Sequence, residues 1–432
     1  MSEHGKDAEN LVEEICRAMF LEDFTVRSPP FRKGSGVQKE AADVLVPFGN
    51  TLIAFQVKSK RGPAKQATDA PECNDTYLAR VRKSVSEGID QLKTLKRAVR
   101  AGHLQALKNG AGVEIPFDRS LVNKIVGVVV LDLPDERELP ENQKTRILNG
   151  FEVRHEIPVH IFHSDDLRVI AQELDTVPDF LSYLEMRETL FKSKRVASII
   201  SELDLLAVYK MQPEQLCEVI QSDSDVLFIE SGQWDTYRSA HGHHIEQRDS
   251  DNEVSYIIDR TIRWLHTSIG FSAYDREFAQ DQNSGESNDV AGYARVALEL
   301  ARFPRIVRRS IGQKWIEKMH KADMVGLGFS LIRTSPSEAI LVMATSDVSR
   351  TARATVLFNV CSVAYCHMNL KTLVGIATEP ISANMRSYDA VLLDGVRFEN
   401  EQELRAKAAE VFGASQHTTV TEFRPVMSKR YE

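Results

Sequence analysis

The sequence predicts an α/β protein: an N-terminal domain over residues 1–193, with helices flanking a sheet, and an α+β domain over residues 194–432. Three observations point there. The 432 residues are 42% hydrophobic, which is enough apolar matter for two cores. Apolar residues recur at helical spacing over residues 5–20 and again over 77–102. Between those helices, residues 43–58 read D-V-L-V-P-F-G-N-T-L-I-A-F-Q-V-K, two strand-favouring runs about a Gly49-Asn50 turn.

The first helix places Ala8, Leu11, Val12, Ile15, Cys16 and Met19 on one face. Its acids are Asp7, Glu9, Glu13 and Glu14. Asp7 suits the positive end of the helix dipole. Glu9 lies about 80° from the centre of the apolar face and reaches sideways along a sheet, whereas Glu13 and Glu14 are expected to point farther out. In the hairpin, Val44, Leu45 and Val46 form the outgoing strand, residues 47–51 turn, and Leu52, Ile53, Ala54 and Phe55 begin the return. Folding about Gly49 brings Asp43 beside Gln56, within a residue of register. Gln56 and Lys58, two apart, share a face. A carboxylate, an amide oxygen and an ammonium group then meet at the open end of the hairpin, an arrangement able to hold a divalent metal and a phosphate.

Asp43 followed by Gln56-Val57-Lys58 resembles the metal site of the PD-(D/E)xK nuclease superfamily, and Gln in the third position is similar to the Mrr-type restriction endonuclease branch. The resemblance covers roughly the first 100 residues, or about 180 with later strands. It implies a restriction-endonuclease-like α/β/α fold and Mg2+- or Mn2+-dependent endonuclease activity on DNA, in defence against foreign DNA. Glu9, Asp43 and Gln56 would hold the metal, and Lys58 would complete the catalytic set. A polar residue from the following helix often supports such a site, and Gln91 is the candidate. Gln56 departs from the commoner Asp or Glu, so the site carries one negative charge fewer. The chemistry fits the residue types: an ion held by oxygen ligands activates water and neutralises charge on the leaving oxygen. A lysine beside that water orients it. Two alternatives stand beside this reading: an inactive nuclease-like module that binds nucleic acid or regulates, and an RNA-directed nuclease.

Residues 27–108 contain 16 Lys and Arg against 7 Asp and Glu, while the whole chain is −8, leaving about −17 elsewhere. Such asymmetry suggests a phosphate-facing surface. Lys60, Arg61 and Lys65 directly follow the hairpin and are the expected nucleic-acid contacts. Arg80, Arg82, Lys83, Lys93, Lys96, Arg97 and Arg100 lie on or near the next helix, whose buried stripe is Val85, Ile89, Leu92, Leu95 and Val99.

No run approaches the ~20 apolar residues of a membrane span. The N-terminus shows no signal-peptide pattern, so a cytoplasmic location is expected. Five scattered cysteines form no CxxC pair, and no Gly-rich loop ends in Lys-Ser/Thr. Strands are expected at 125–133 and 159–163, and helices at 165–174 and 177–192, with a domain boundary near 192–195. Beyond it, helices are expected at 196–205, 211–220, 254–269, 289–303, 311–320, 351–367 and 401–412. Strands are expected at 325–333, 339–344, 372–377 and 388–393, and a polar loop at 280–288. His241, His243 and His244 read as a solvated polar loop before a metal cluster, because no Cys or spaced partner completes them. Arg302, Arg305, Arg308, Arg309 and Lys314 either bind phosphate or a partner, or bridge to acidic neighbours. A homo-oligomer and a protein partner for the C-terminal domain are both open.

Overall fold

The computed structural model describes residues 3–21, 24–32, 38–59, 74–104, 107–109, 114–115, 119–132, 150–193, 196–199, 201–222, 227–266, 289–346, 349–384, 386–412 and 420–422. They form a mixed α/β protein of two compact units, Met1–Glu246 and Gln247–Glu432.

The first unit opens with helix α1 (Glu3–Phe20), then the short strands β1 (Val26–Arg27), β2 (Pro30–Arg32) and β3 (Gln38–Glu40). The hairpin β4 (Val44–Phe48) and β5 (Thr51–Ser59) follows. Phe48 pairs with Thr51, so Gly49-Asn50 is a two-residue turn. Gly49 has φ 57° and Asn50 has no positive φ, the pattern of a type II′ turn with glycine at its first central position. Pro47 lies in β4 and not in the turn; β1 pairs only with Val44 and Leu45, so the missing N–H at Pro47 falls where no neighbour asks for it.

Helix α2 (Asn74–Arg100) crosses to β8 (Lys124–Asp132), after the minor pair β6 (Leu107–Lys108) and β7 (Glu114–Ile115). The antiparallel pair β9 (Phe151–Arg154) and β10 (Ile157–His163) completes a six-stranded sheet of order β1-β4-β5-β8-β10-β9. Its centre, β5-β8-β10, is parallel. These strands bury both faces, as parallel strands must. Leu52, Ala54, Val129 and Leu131 meet Ile89, Leu92, Leu95 and Val99 of α2 on one face. On the other, Phe55 meets Phe20 of α1 in a tilted contact and stacks with Phe180.

Helices α3 (Ser164–Glu173) and α4 (Val177–Ser193) follow, then β11 (Val196–Ile199), α5 (Glu202–Met211), α6 (Pro213–Gln221), β12 (Leu227–Ile229) and α7 (Gln233–His266). The first unit therefore runs past the expected boundary at 192–195. The reason is a buried polar knot. Arg187 of α4 is fully buried and donates to both carboxylate oxygens of Glu202 in α5, at 2.8 and 2.7 Å. Tyr183 donates to the same carboxylate at 2.5 Å. Residues 196–199, expected to open a helix, instead pair as β11 with β12, because Val196 and Ile199 gain more from a ladder than from a helix start. His241, His243 and His244 fall within α7 and not in a loop; a single Gly242 costs only about 1 kcal/mol in a helix of this length.

The second unit holds α8 (Asp289–Ala301), α9 (Arg305–Val325), β13 (Leu327–Ser335), β14 (Glu338–Thr345), α10 (Arg350–Met368), β15 (Thr372–Thr378), β16 (Tyr388–Asp394), α11 (Glu401–Phe412) and β17 (Val420–Glu422). The sheet order is β16-β15-β14-β13-β17, with β14-β15 and β13-β17 parallel. Its elements match the expected set closely; helix 311–320 grows to Arg305–Val325, and residues 280–288 lie outside the described residues.

Candidate active site

The site is built where β4 leaves β5. Val44 is paired with Phe55, and the Asp43 N–H donates to the Phe55 carbonyl at 3.1 Å. The carboxylate of Asp43 then takes the place of a backbone acceptor: its Oδ2 receives the Val57 N–H at 2.6 Å. Asp43 is thereby held beside Gln56-Val57, as the turn geometry requires.

Leu52 and Ala54 face α2, so Gln56 and Lys58 continue that face by strand alternation. Lys58 Nζ donates to Gln91 Oε1 of α2 at 2.5 Å. Gly88, one turn before Gln91, lets the helix come this near: a Cβ there would stand 3.1 Å from Val129 and 3.6 Å from Lys58 Cε. Gln56 is 2% exposed, and among the described residues its amide has no hydrogen-bond partner.

Glu9 of α1 belongs to the same electrostatic neighbourhood. Burial pushes its carboxyl up from the ordinary value, and the negative charges of Asp43 and Glu40 push it further, against Arg27 and Lys58. Asp43 is also raised, first by burial; the Val57 N–H and Lys58 oppose this, and Glu40 adds to it. Glu40, at the end of β3, was not among the expected residues. A signal for it exists: Glu40 and Asp43 are the two acids of the otherwise basic stretch 27–65.

Glu13 departs from expectation. It is buried and paired with Arg17 and with Arg27, each at 2.7 Å, because β1 carries Arg27 alongside α1. Glu14 is exposed, as expected. Among the α2 cations whose side chains are described, Arg82, Lys93, Lys96, Arg97 and Arg100 turn away from Gln91. Arg82, Lys93 and Arg97 lie within about 60° of one another and about 120–180° from Gln91 around the helix. Lys96 and Arg100 reach the other way, to Glu156 at 2.8 and 3.2 Å. Lys60, Arg61 and Lys65 lie outside the described residues.

The carboxyl ends of β5 and β8 are tied by Asp132, which accepts from Ser59 at 3.0 Å and from Ser164 at 3.4 Å. This bond fixes the residue next to Lys58.

Oxygen donors suit a hard divalent ion, and Glu9, Asp43 and Gln56 offer two carboxylates and an amide oxygen. Among the described residues, no three His, Cys, Asp or Glu side chains come together as a metal-holding group. Gln56 stands outside that set of residue types.

The second-unit arginines are structural. Arg305 and Arg308 share the buried carboxylate of Asp259 at 2.7 and 2.6 Å, and Arg309 donates to Asn252. Arg302 pairs with Glu299 and Lys314 with Glu317. They bridge to acidic and amide neighbours within the unit, the second of the two roles expected for them. The four described cysteines are free thiols. Among the described residues, no helix is long and apolar enough to cross a membrane.

No protein-family model matches the chain, and no curated protein or solved structure is significantly similar to it.

Proposed function

We propose that the first unit is a PD-(D/E)xK-type nuclease with a restriction-endonuclease-like α/β/α fold, hydrolysing DNA phosphodiester bonds with Mg2+ or Mn2+. The observation that carries this reading is the meeting of Asp43, Gln56 and Lys58 at one end of the hairpin. In this reading Asp43, Glu9 and the Gln56 oxygen hold the ion, which supplies a Lewis acid and an activated water. Lys58, aimed by Gln91, stabilises charge on the scissile phosphate. A role in defence against foreign DNA, and a partner or self-association through the second unit, extend the proposal from the resemblance alone.

The test is incubation of the full chain with supercoiled plasmid, with and without Mg2+ or Mn2+, beside a structured RNA. Metal-dependent nicking of the plasmid is expected; RNA-only cleavage would move the substrate class. Removing Lys60, Arg61 and Lys65 together should flatten the slope of log affinity against log salt by roughly 2–3 units.

One observation favours a second reading, a nuclease-like module that binds nucleic acid without cutting. Gln56 is neutral, and the described residues contain no triad of metal-holding acids. A chain that binds neither Mg2+ nor Mn2+ at millimolar levels and nicks neither DNA nor RNA would decide for that module.

A further inference from the structure

Lys318 of α9 is a nearly buried charge with no counter-charge of its own. It is 9% exposed, yet among the described residues it makes no hydrogen bond and no ion pair. Lysine is rarely buried this far unless it is paired. The helix is pressed onto the start of β13 here: a Cβ at Gly328 would stand 2.4 Å from the Lys318 carbonyl oxygen. The stem is what this packing covers. Lys318 Nζ is not one of the sealed atoms that lack a partner, so the ammonium opens to solvent and can meet an anion.

Its surroundings are cationic. Lys314, Lys318 and Lys321 fall within about 60° of one another around α9, each about one turn from the next. Burial pushes the Lys318 ammonium below the usual lysine range, and Lys321 and Lys314 act in the same direction, against Glu317. Glu317 is the carboxylate that acts on Lys318, and it is already paired with Lys314 at 3.0 Å. A chain of anions would relieve burial and repulsion together. The row is about 10 Å long, and each DNA strand carries one charge per about 3.4 Å of axis, so it can face about three phosphates.

We propose that α9 holds the phosphodiester backbone of DNA through Lys318, with Lys314 and Lys321 to either side. The second unit then carries a surface that positions DNA without reading its bases. The choice of DNA as the polyanion rests on the nuclease reading; the lysine row does not.

Two measurements on the full chain in EDTA test this. The first is amine-selective acetylation of the parent with and without a DNA duplex, read at Lys318 by mass spectrometry; the duplex should protect Lys318. The second is the salt dependence of duplex affinity. Lys318→Met keeps an unbranched apolar stem and removes the charge, and should lower the slope of log affinity against log salt by about 1. Lys318→Arg keeps the charge and should keep the parental slope. Lys318→Met should also melt at or above the parental temperature, because a repelled charge has gone. Equal slopes for the parent and Lys318→Met, or acetylation of Lys318 as fast with DNA as without, would overturn the proposal. Protection by polyglutamate and not by DNA would overturn it too, in favour of an acidic protein partner. Should Lys318→Met fail to fold, acetylation of the parent decides alone. Protected Lys318 in a chain that never nicks DNA with Mg2+ or Mn2+ would sink the nuclease reading and leave this surface standing; nicking with Lys318 unprotected would do the reverse.

Discussion

Replacing Asp43 by asparagine should make the metal-free protein more stable while abolishing the proposed metal-dependent cleavage. Asp43 carries two opposed contributions. Its Oδ2 accepts the Val57 N–H at 2.6 Å, which ties the strands together. Its charge is held in a half-buried place, and the carboxyl is raised above 3.8, chiefly by burial. The folded state therefore binds that proton more tightly than the unfolded chain does. The resulting stabilisation is complete below about pH 3.8 and is lost as pH rises through the folded-state value, so at pH 7 the charge works against the fold. Asp43→Asn removes the charge and keeps an acceptor for Val57. Asp43→Ala removes both and strands a backbone N–H, at a cost of about 1–3 kcal/mol relative to Asn. In a unit of this size each kcal/mol moves the melting temperature by roughly 2–4 °C. The metal-free order at pH 7 should be Asn above parent, with Ala below Asn by that gap. Near pH 3 the parent should approach Asn. Adding Mn2+ at about 100 times its Kd should stabilise the parent alone, by roughly 2.7 kcal/mol. Both variants should lose a factor on the order of 10² or more in cleavage. Thermal melts at the two pH values, with and without Mn2+, are the assay. An Asn variant less stable than the metal-free parent at pH 7, or Asn and Ala variants of equal stability, would refute the reasoning.

Three further outcomes are expected. Lys58→Ala should lower turnover with little change in DNA affinity; a loss of affinity alone in filter binding would make Lys58 a phosphate contact. Glu202→Ala strands the fully buried Arg187 guanidinium and should cost about 3–5 kcal/mol in urea unfolding, a loss that would be small only if water reached the cavity. His160 is buried beside Arg187, and burial first, then that cation, holds its pKa well below 6.5. The unfolded chain takes up this proton and the folded one does not. Stability should therefore fall as pH drops below 6.5, by up to about 1.4 kcal/mol per pH unit, and His160→Gln should flatten that slope.

The local chemistry of the chain determined the hairpin and its flanking helices. Gly49 holds the positive φ of the two-residue turn without strain, and that turn fixes register, which sets Asp43 beside Gln56 and puts Lys58 on the same face. The helical stripe from Ile89 to Val99 fixes which side of α2 meets the sheet, and so places Gln91 at its flank. These are short-range consequences of period and turn type. What periodicity could not carry is any pairing between distant segments. The parallel union of β5, β8 and β10 and the binding of Glu13 to Arg27 both depend on how segments far apart in the chain come together. The same holds in the second unit, where the arginines around Pro304 look like a charged surface until Asp259, far back on α7, buries two of them. A charge in sequence has a sign but no partner; only the tertiary structure decides whether it faces a carboxylate, a ligand or water, because that depends on which surfaces are desolvated together.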